Sequence, residues 1–488
     1  MGITDESVIG KTIVRGKLTL LSPLLLGSGN DDLADIEVMR DSNGKPFIPG
    51  TSLAGVLKHY FEDNFRNKIC EDSGCFWGIH RKKEEKEKEG ESYQSAFICH
   101  DLFSENAKTR VRDGVRIDPK KQIAEDKGKY DFEVIEEGAS FDLLWELTIR
   151  QKNDKKTFHK ILATILDKLK NDTPDKEGTF HIGAKTNSGF GKCKLTDVQI
   201  FDFDFFKKED VLKWLEQEWQ DPNSTGGVTE LQEGPFDIEN KTFSIDAKFS
   251  IKNSIIIRAY SEKAYLSDST SLTSADKFIL PGTSLKGAIR HRALKILKTL
   301  NPEGDVAEKT INELFGIAGK DVKSKEEKKG LVQVEEVEIT NVETESQTRI
   351  KIDRFTGGTV KTALFDTMPL WSKNGDLEAI NAGIRIKDWD INPDKTNPDK
   401  IRSNKFKAFL MMQVLKDLWC EDLAIGGEKN VGRGVLKGLS ATIRWSSEEG
   451  KDRELNIKKS ENGLIFSEEL AANELNQFAE SFKEELKI

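Results

Sequence analysis

The strongest constraint on this chain is an internal duplication. The segment PGTSLAGVLKH from Pro49 returns from Pro281 as PGTSLKGAIRH, identical at Pro, Gly, Thr, Ser, Leu, the second Gly and His. Farther on, IGAKTNSGFGK from Ile182 returns as IGGEKNVGRGV from Ile425, sharing the Ile, the first Gly, the Asn and the closing Gly-x-Gly. Between the two motifs, Phe76-Trp77-Gly78-Ile79 is echoed by Phe315-Gly316-Ile317, and each echo runs into a charged stretch. Three features repeated in the same order mean one module used twice. A chain of 488 residues is in any case too long for one ordinary core. The repeat predicts a first module over residues 1–205, a linker with a short helix over 206–239, a second module over 240–446, and a C-terminal tail over 447–488 that is helical.

Inside each module the pattern is mixed α and β. A β-rich run comes first (residues 12–26 and 242–259), and a Pro-Gly then opens a helix for which Thr51/Ser52 and Thr283/Ser284 are N-cap candidates. Leu53, Val56, Leu57, Tyr60 and Phe61 recur at helical spacing and give that helix one apolar face. A second strand is expected over 95–103 and 331–339. In the next, Phe141, Leu143, Trp145, Leu147 and Ile149 alternate and line one buried face. A second helix (157–169 and 405–423), the glycine-rich loop and a closing strand complete the module. The order β-α-β-β-α-β is the ferredoxin-like, RNA-recognition-motif-like arrangement, so the fold class is α+β with two tandem modules. Each module also carries an insertion (106–138 and 341–361) in which basic residues alternate with β-formers, as in Thr109-Arg110-Val111-Arg112 and Arg349-Ile350-Lys351-Ile352. A projecting hairpin is predicted there.

Composition narrows the function. No apolar run is long enough to cross a bilayer, and the first residues lack the apolar core of a signal peptide, so a cytoplasmic protein with no membrane partner is expected. The five cysteines, irregularly spaced, fit a reducing compartment. The net charge of −9 argues against a free, non-specific nucleic-acid binder. It does not argue against a local basic groove on an otherwise acidic protein.

Glycine-rich loops let a backbone approach a phosphate and offer N–H groups to it. Gly183, Lys185, Asn187, Gly189 and Gly191 form the first such loop, and Gly426, Gly427, Asn430, Gly432, Arg433 and Gly434 the second. No Gly-Lys-Ser/Thr closes either one, so neither is a nucleoside-triphosphate loop. A tight turn would explain one instance; two, each with its matching helix start, point to phosphate contact. Further phosphate candidates are Ser52, Lys58 and His59 with Ser284, Lys286, Arg290 and His291 at the helix starts. Arg110 and Arg112 with Arg349 and Lys351 stand in the insertions. Cys70, Cys75 and His80, with Cys99-His100 later, are of zinc-ligand type but lack the usual spacing, and zinc is not expected.

The glycine loop near the module's end, with PGTSL opening the first helix, resembles the RAMP superfamily of CRISPR–Cas proteins. The similarity extends to the backbone subunits of type III effector complexes, and the tandem arrangement resembles the fused form of the type III-D variant. The resemblance implies a thumb-like insertion and partners that include CRISPR guide RNA, a paired target RNA and other type III effector subunits. It also implies a target-cleaving Asp in a D-x-x-V-x-[KR]-D run ahead of I-P-G. Here that run is Asp35-Ile36-Glu37-Val38-Met39-Arg40-Asp41 before Ile48-Pro49-Gly50, which makes Asp35 the catalytic candidate, with Asp31 and Asp32 as neighbours. In the second module Asp268 lies at a similar distance from Pro281, without the rest of the run. A lone carboxylate suits RNA, whose 2′-OH is a built-in nucleophile that Asp can deprotonate, or beside which it can hold a divalent Mg or Mn ion. Two alternatives stay open: a catalytically inert guide-RNA scaffold, and a guide-RNA-processing endoribonuclease using His59 or His291.

Overall fold

The computed structural model describes residues 4–27, 35–65, 76–78, 94–118, 121, 123–170, 180–220, 229–236, 242–260, 267, 269–301, 306–317, 329–387, 389, 402–446, 451–460, 463–467 and 469–486. They fold as two compact units. The first is Met1–Val111, Asp131–Ala184 and Gly191–Asn240; the second is Arg112–Tyr130, Lys185–Phe190 and Lys241–Ile488. The distal hairpin and glycine-loop residues of the first sequence repeat are thus built into the second unit.

The first unit is an antiparallel sheet of β1 (Val8–Leu20), β2 (Phe97–Cys99), β3 (Ser140–Arg150) and β4 (Lys192–Asp204) in the order β2-β3-β1-β4, with the short strand Phe180–His181 at the far edge. That order is the ferredoxin-like one. Every second residue of β3, from Phe141 to Ile149, is buried. They pack beneath helix α1 (Gly50–Phe65), through Leu53, Leu57 and Phe61, and helix α2 (Lys155–Lys170), through Phe158, Ile161, Leu162 and Ile165. Each such side chain removed from water contributes roughly 1.5–3 kcal/mol. The opposite face of the sheet, at Ile13, Phe201 and Phe203, is closed by Trp219 and Trp214 beyond β4, where helix α3 (Lys208–Leu215) forms.

The second unit repeats the order with β5 (Phe243–Ile251), β6 (Val332–Val334), β7 (Ile380–Ile386) and β8 (Val435–Ser446), arranged β6-β7-β5-β8. Its helices are α4 (Gly282–Leu300), α5 (Val306–Phe315) and α6 (Asn404–Trp419). The tail expected to be helical is first strand, over Asp452–Ser460 and Gly463–Phe466, which continue the sheet beyond β8. It then becomes helix α7 (Glu469–Leu486), whose Phe482 stacks on Phe406 of α6 and whose Phe478 meets Trp389.

The N-cap expectation needs correcting. Both helices begin at the glycine, and in α4 Pro281 holds the N-cap position at φ −61° with no side-chain cap. Proline fixes the φ of the entry to the helix, and its carbonyl oxygen accepts the Ser284 and Leu285 N–H groups at 3.0 and 3.1 Å. In α1, the Gly50 N–H donates to the Asp101 carboxylate at 2.8 Å.

Candidate nucleic-acid interface

The Asp35 run is built as a brace. Ile36 bridges Phe132 and accepts the Glu133 N–H at 2.8 Å. The Val38 N–H donates to Glu133 Oε2 at 3.1 Å, and Arg40 donates to Glu133 Oε1 at 2.6 Å. Asp41 accepts the N–H groups of Asn43 and Lys45 at 2.9 and 2.8 Å. These backbone bonds, that from Lys45 foremost, hold its carboxyl below the usual range. Val38, Arg40 and Asp41 of the run therefore fix the chain, and Asp35 stands exposed at its start. Its Oδ2 accepts the Asp131 N–H at 3.1 Å. Glu133 is the residue that sequence reasoning missed; its signal was a charge inside the apolar run Phe132 to Ile135. Asp31, Asp32 and Asp268 lie outside the described residues, as do Cys70, Cys75 and His80.

Both glycine loops have one conformation. Lys185 and Glu428 are left-handed at φ 55° and 56°, a single 3-10 turn follows, and Gly189 and Gly432 close it at φ 88° and 83°. A Cβ on Gly191 or Gly434 would lie 1.8 Å from the carbonyl oxygen of Ile182 or Ile425. On Gly183 or Gly426 it would lie 2.4 or 2.5 Å from Leu25 O or Ile256 O. The close approach these glycines permit is thus to the loop's own flanking backbone. Gly427 likewise donates its N–H to Ile256 O at 2.8 Å.

Several residues expected at phosphate are committed elsewhere. Arg112, 3 % exposed, forms a bidentate pair with Glu336 at 2.6 and 3.1 Å and lies over the Phe190 ring. Asn187 is buried and donates to Gly330 O at 2.6 Å. A Cβ on Gly189 would lie 2.4 Å from Glu336 N. Arg433 is buried between Glu428, Ser254 and Gln347, with its guanidinium over Trp371. The side chains of Arg112, Asn187 and Arg433 are thus buried with partners supplied by the protein itself, as buried polar groups generally are. Arg349 pairs with Glu428 at 3.0 Å and Arg110 with Glu136 at 3.1 Å, while Lys351 is exposed. Lys185 lies over the Tyr130 ring, and burial pushes its pKa down to about 8.

At the helix starts the cations survive. Ser52 is half-buried, His59 is exposed, and Lys58 stands 3.9 Å from Glu62. In the second unit Ser284 and Lys286 are half-buried in the first turns of α4. Burial, then Lys387, Arg290 and Lys329, push Lys286 down to about 8. His291 is lowered by burial and by Lys429 and Lys295. Exposed Asn430 and Gly432 complete this basic region. Like charges gathered at a helix N-terminus repel one another until an anion arrives.

Residues 17–194 and 255–437 match the RAMP superfamily, well over half of the chain and one match per repeat. The chain belongs to the RAMP superfamily. RAMP proteins generally bind RNA within CRISPR complexes. No curated protein matches the chain. Among the described residues no helix is long and apolar enough to cross a membrane, and none of them gather as a group of three or more His, Cys, Asp or Glu side chains able to hold a metal.

Proposed function

We propose that this RAMP protein is a backbone subunit of a type III CRISPR effector that grips guide RNA, presents it to a target RNA and cuts the target beside Asp35. The observation that carries RNA binding is the cluster of Lys286, Arg290, Lys329 and Lys387 at the start of α4, at the motif that the sequence repeats. The tips of the two hairpins add apolar side chains suited to bases, with Phe355 fully exposed and Ile117 and Ile123 more than half exposed.

Cleavage rests on the braced position of Asp35. Its Oδ2 is anchored by the Asp131 N–H, which leaves Oδ1 to take a proton from a ribose 2′-OH. Attack of that oxygen on the adjacent phosphorus would expel the 5′-oxygen and leave a cyclic phosphate. A divalent ion fits this site only as Mg or Mn commonly binds, through one carboxylate, water and the substrate's own phosphates. Such an ion would neutralise charge on the phosphate.

RNA binding is tested by titrating labelled guide RNA against wild type and Lys286→Ala/Arg290→Ala at several salt concentrations. Two lost phosphate contacts should weaken binding for any sequence and lower the salt slope by about 2. An unchanged slope would remove α4 from the interface.

A further inference from the structure

Two lysines of the second unit are alike in burial and unlike in company. Lys185 and Lys286 are both half-buried, and both are pushed down to about 8 with burial as the largest cause. At Lys185 burial acts alone, and the amine lies 4.6 Å over the Tyr130 ring. Lys286 sits among other cations. Arg290 follows it by one turn of α4, on the same face of the helix. A Cβ on Gly282, one turn earlier, would lie 2.2 Å from Ser188 O and 2.7 Å from Val334 O, so residues 185–190 and β6 close on the start of this helix. In that loop Asn187 donates to Gly330 O at 2.6 Å, beside Lys329, and accepts from the Lys387 amine at 3.3 Å. The Lys387 N–H in turn donates to Leu331 O at 3.1 Å. Lys286, Arg290, Lys329 and Lys387 are thereby gathered at one end of α4, where the charges of the other three lower Lys286 beyond the effect of burial.

An amine is a nucleophile only when uncharged, and desolvation beside other cations is what keeps it so. The same cations attract a phosphate. We infer that Lys286 is an acylation site that takes its acyl group directly from a small acyl phosphate, whose phosphate is held by Arg290, Lys329 and Lys387. The amine lone pair forms the N–C bond to the acyl carbon. The C–O bond to phosphorus's oxygen breaks, inorganic phosphate leaves with that electron pair, and the proton on nitrogen passes to water. The product is an uncharged amide, so the reaction removes one cation of the cluster and weakens its hold on any phosphate. An acyl phosphate would in this way set how strongly α4 grips a nucleic-acid backbone. That consequence rests on the RNA-binding reading; the acylation itself does not.

The test compares two acyl donors on the full chain without RNA, so its failure leaves the RNA-binding reading untouched. Acetyl phosphate carries the anion, and acetic anhydride transfers the same acetyl group without it. Peptide mass spectrometry reads acetylation of Lys286 relative to Lys185. That ratio should be about tenfold higher with acetyl phosphate than with the anhydride, the gain that one phosphate contact gives. Both donors meet the same two amines, so the uncharged fraction of each cancels in the comparison. Arg290→Gln/Lys329→Gln should bring the two ratios together, and excess inorganic phosphate should do the same in the wild type by filling the seat. Equal ratios with both donors in the wild type, or a preference that survives either the substitutions or the added phosphate, would overturn the inference.

Discussion

Two glycines in one loop separate backbone strain from steric closure. Gly432 and Gly434 have nearly the same left-handed φ, 83° and 75°. An alanine at either position pays about 1–2 kcal/mol for that conformation. At Gly432 the added methyl meets nothing within 4 Å, so the cost ends there. At Gly434 it would lie 1.8 Å from Ile425 O, where two hydrogen bonds hold the loop. The Ile425 N–H donates to Gly434 O at 2.9 Å, and the Gly434 N–H to Ser254 O at 2.7 Å. Relieving the overlap adds an overpacking cost of about 1–3 kcal/mol, and losing one of those bonds adds about 1 kcal/mol more. Gly434→Ala should therefore cost about 3–6 kcal/mol against about 1–2 for Gly432→Ala. At roughly 2–4 °C per kcal/mol for a unit of this size, calorimetry of the full chain should show the second unit's transition lowered by roughly 13 °C in one case and roughly 4 °C in the other. Equal shifts would refute the argument that backbone closure, and not φ alone, is what selects glycine at Gly434.

Other outcomes follow from the same geometry. Arg112→Ala leaves Glu336 buried without its partner and should cost about 3–5 kcal/mol, whereas Arg112→Met with Glu336→Leu should recover most of that loss in a double-mutant cycle. Lys286 is held down to about 8 in the folded protein against the ordinary lysine value of 10.5, so the unfolded chain binds more protons between those values. Its contribution to stability therefore rises with pH across that window. RNA binding should instead weaken as pH rises through 8, because bound phosphate favours the charged amine, and Lys286→Met should flatten that part of the titration curve. Glu133→Ala removes the brace on Val38 and Arg40 and should reduce target cleavage in the assembled complex while leaving guide-RNA affinity at the wild-type value.

The α+β class, the duplicated module and the strand alternation were legible because they rest on local periodicity. Phe141 through Ile149 alternate, and β3 buries the residues that the alternation selects. The helix starts were legible to within a residue, but not their capping: the partner of Gly50 is Asp101, fifty-one positions along the chain and invisible to any local rule. The glycine loops show what composition leaves out. Their composition suits phosphate, yet Gly183 and Gly191 serve chain closure, and Asn187 and Arg112 are buried by long-range partners. Sequence shows that a residue is polar, and only tertiary structure shows which partner has already claimed it. The strand at Asp452–Ser460 was hidden by its many charges, which alternate poorly because this edge of the sheet faces water on much of its surface.

The most direct test is cleavage of end-labelled complementary target RNA by the complex assembled on guide RNA, with and without magnesium, comparing wild type, Asp35→Ala and Asp268→Ala. The account predicts that Asp35→Ala abolishes one specific product while target binding stays intact, with Asp268→Ala reporting whether the second module cuts as well. If every product survived both substitutions, the chain would hold RNA without cutting it, and the assignment of Asp35 as the cleaving residue would be wrong.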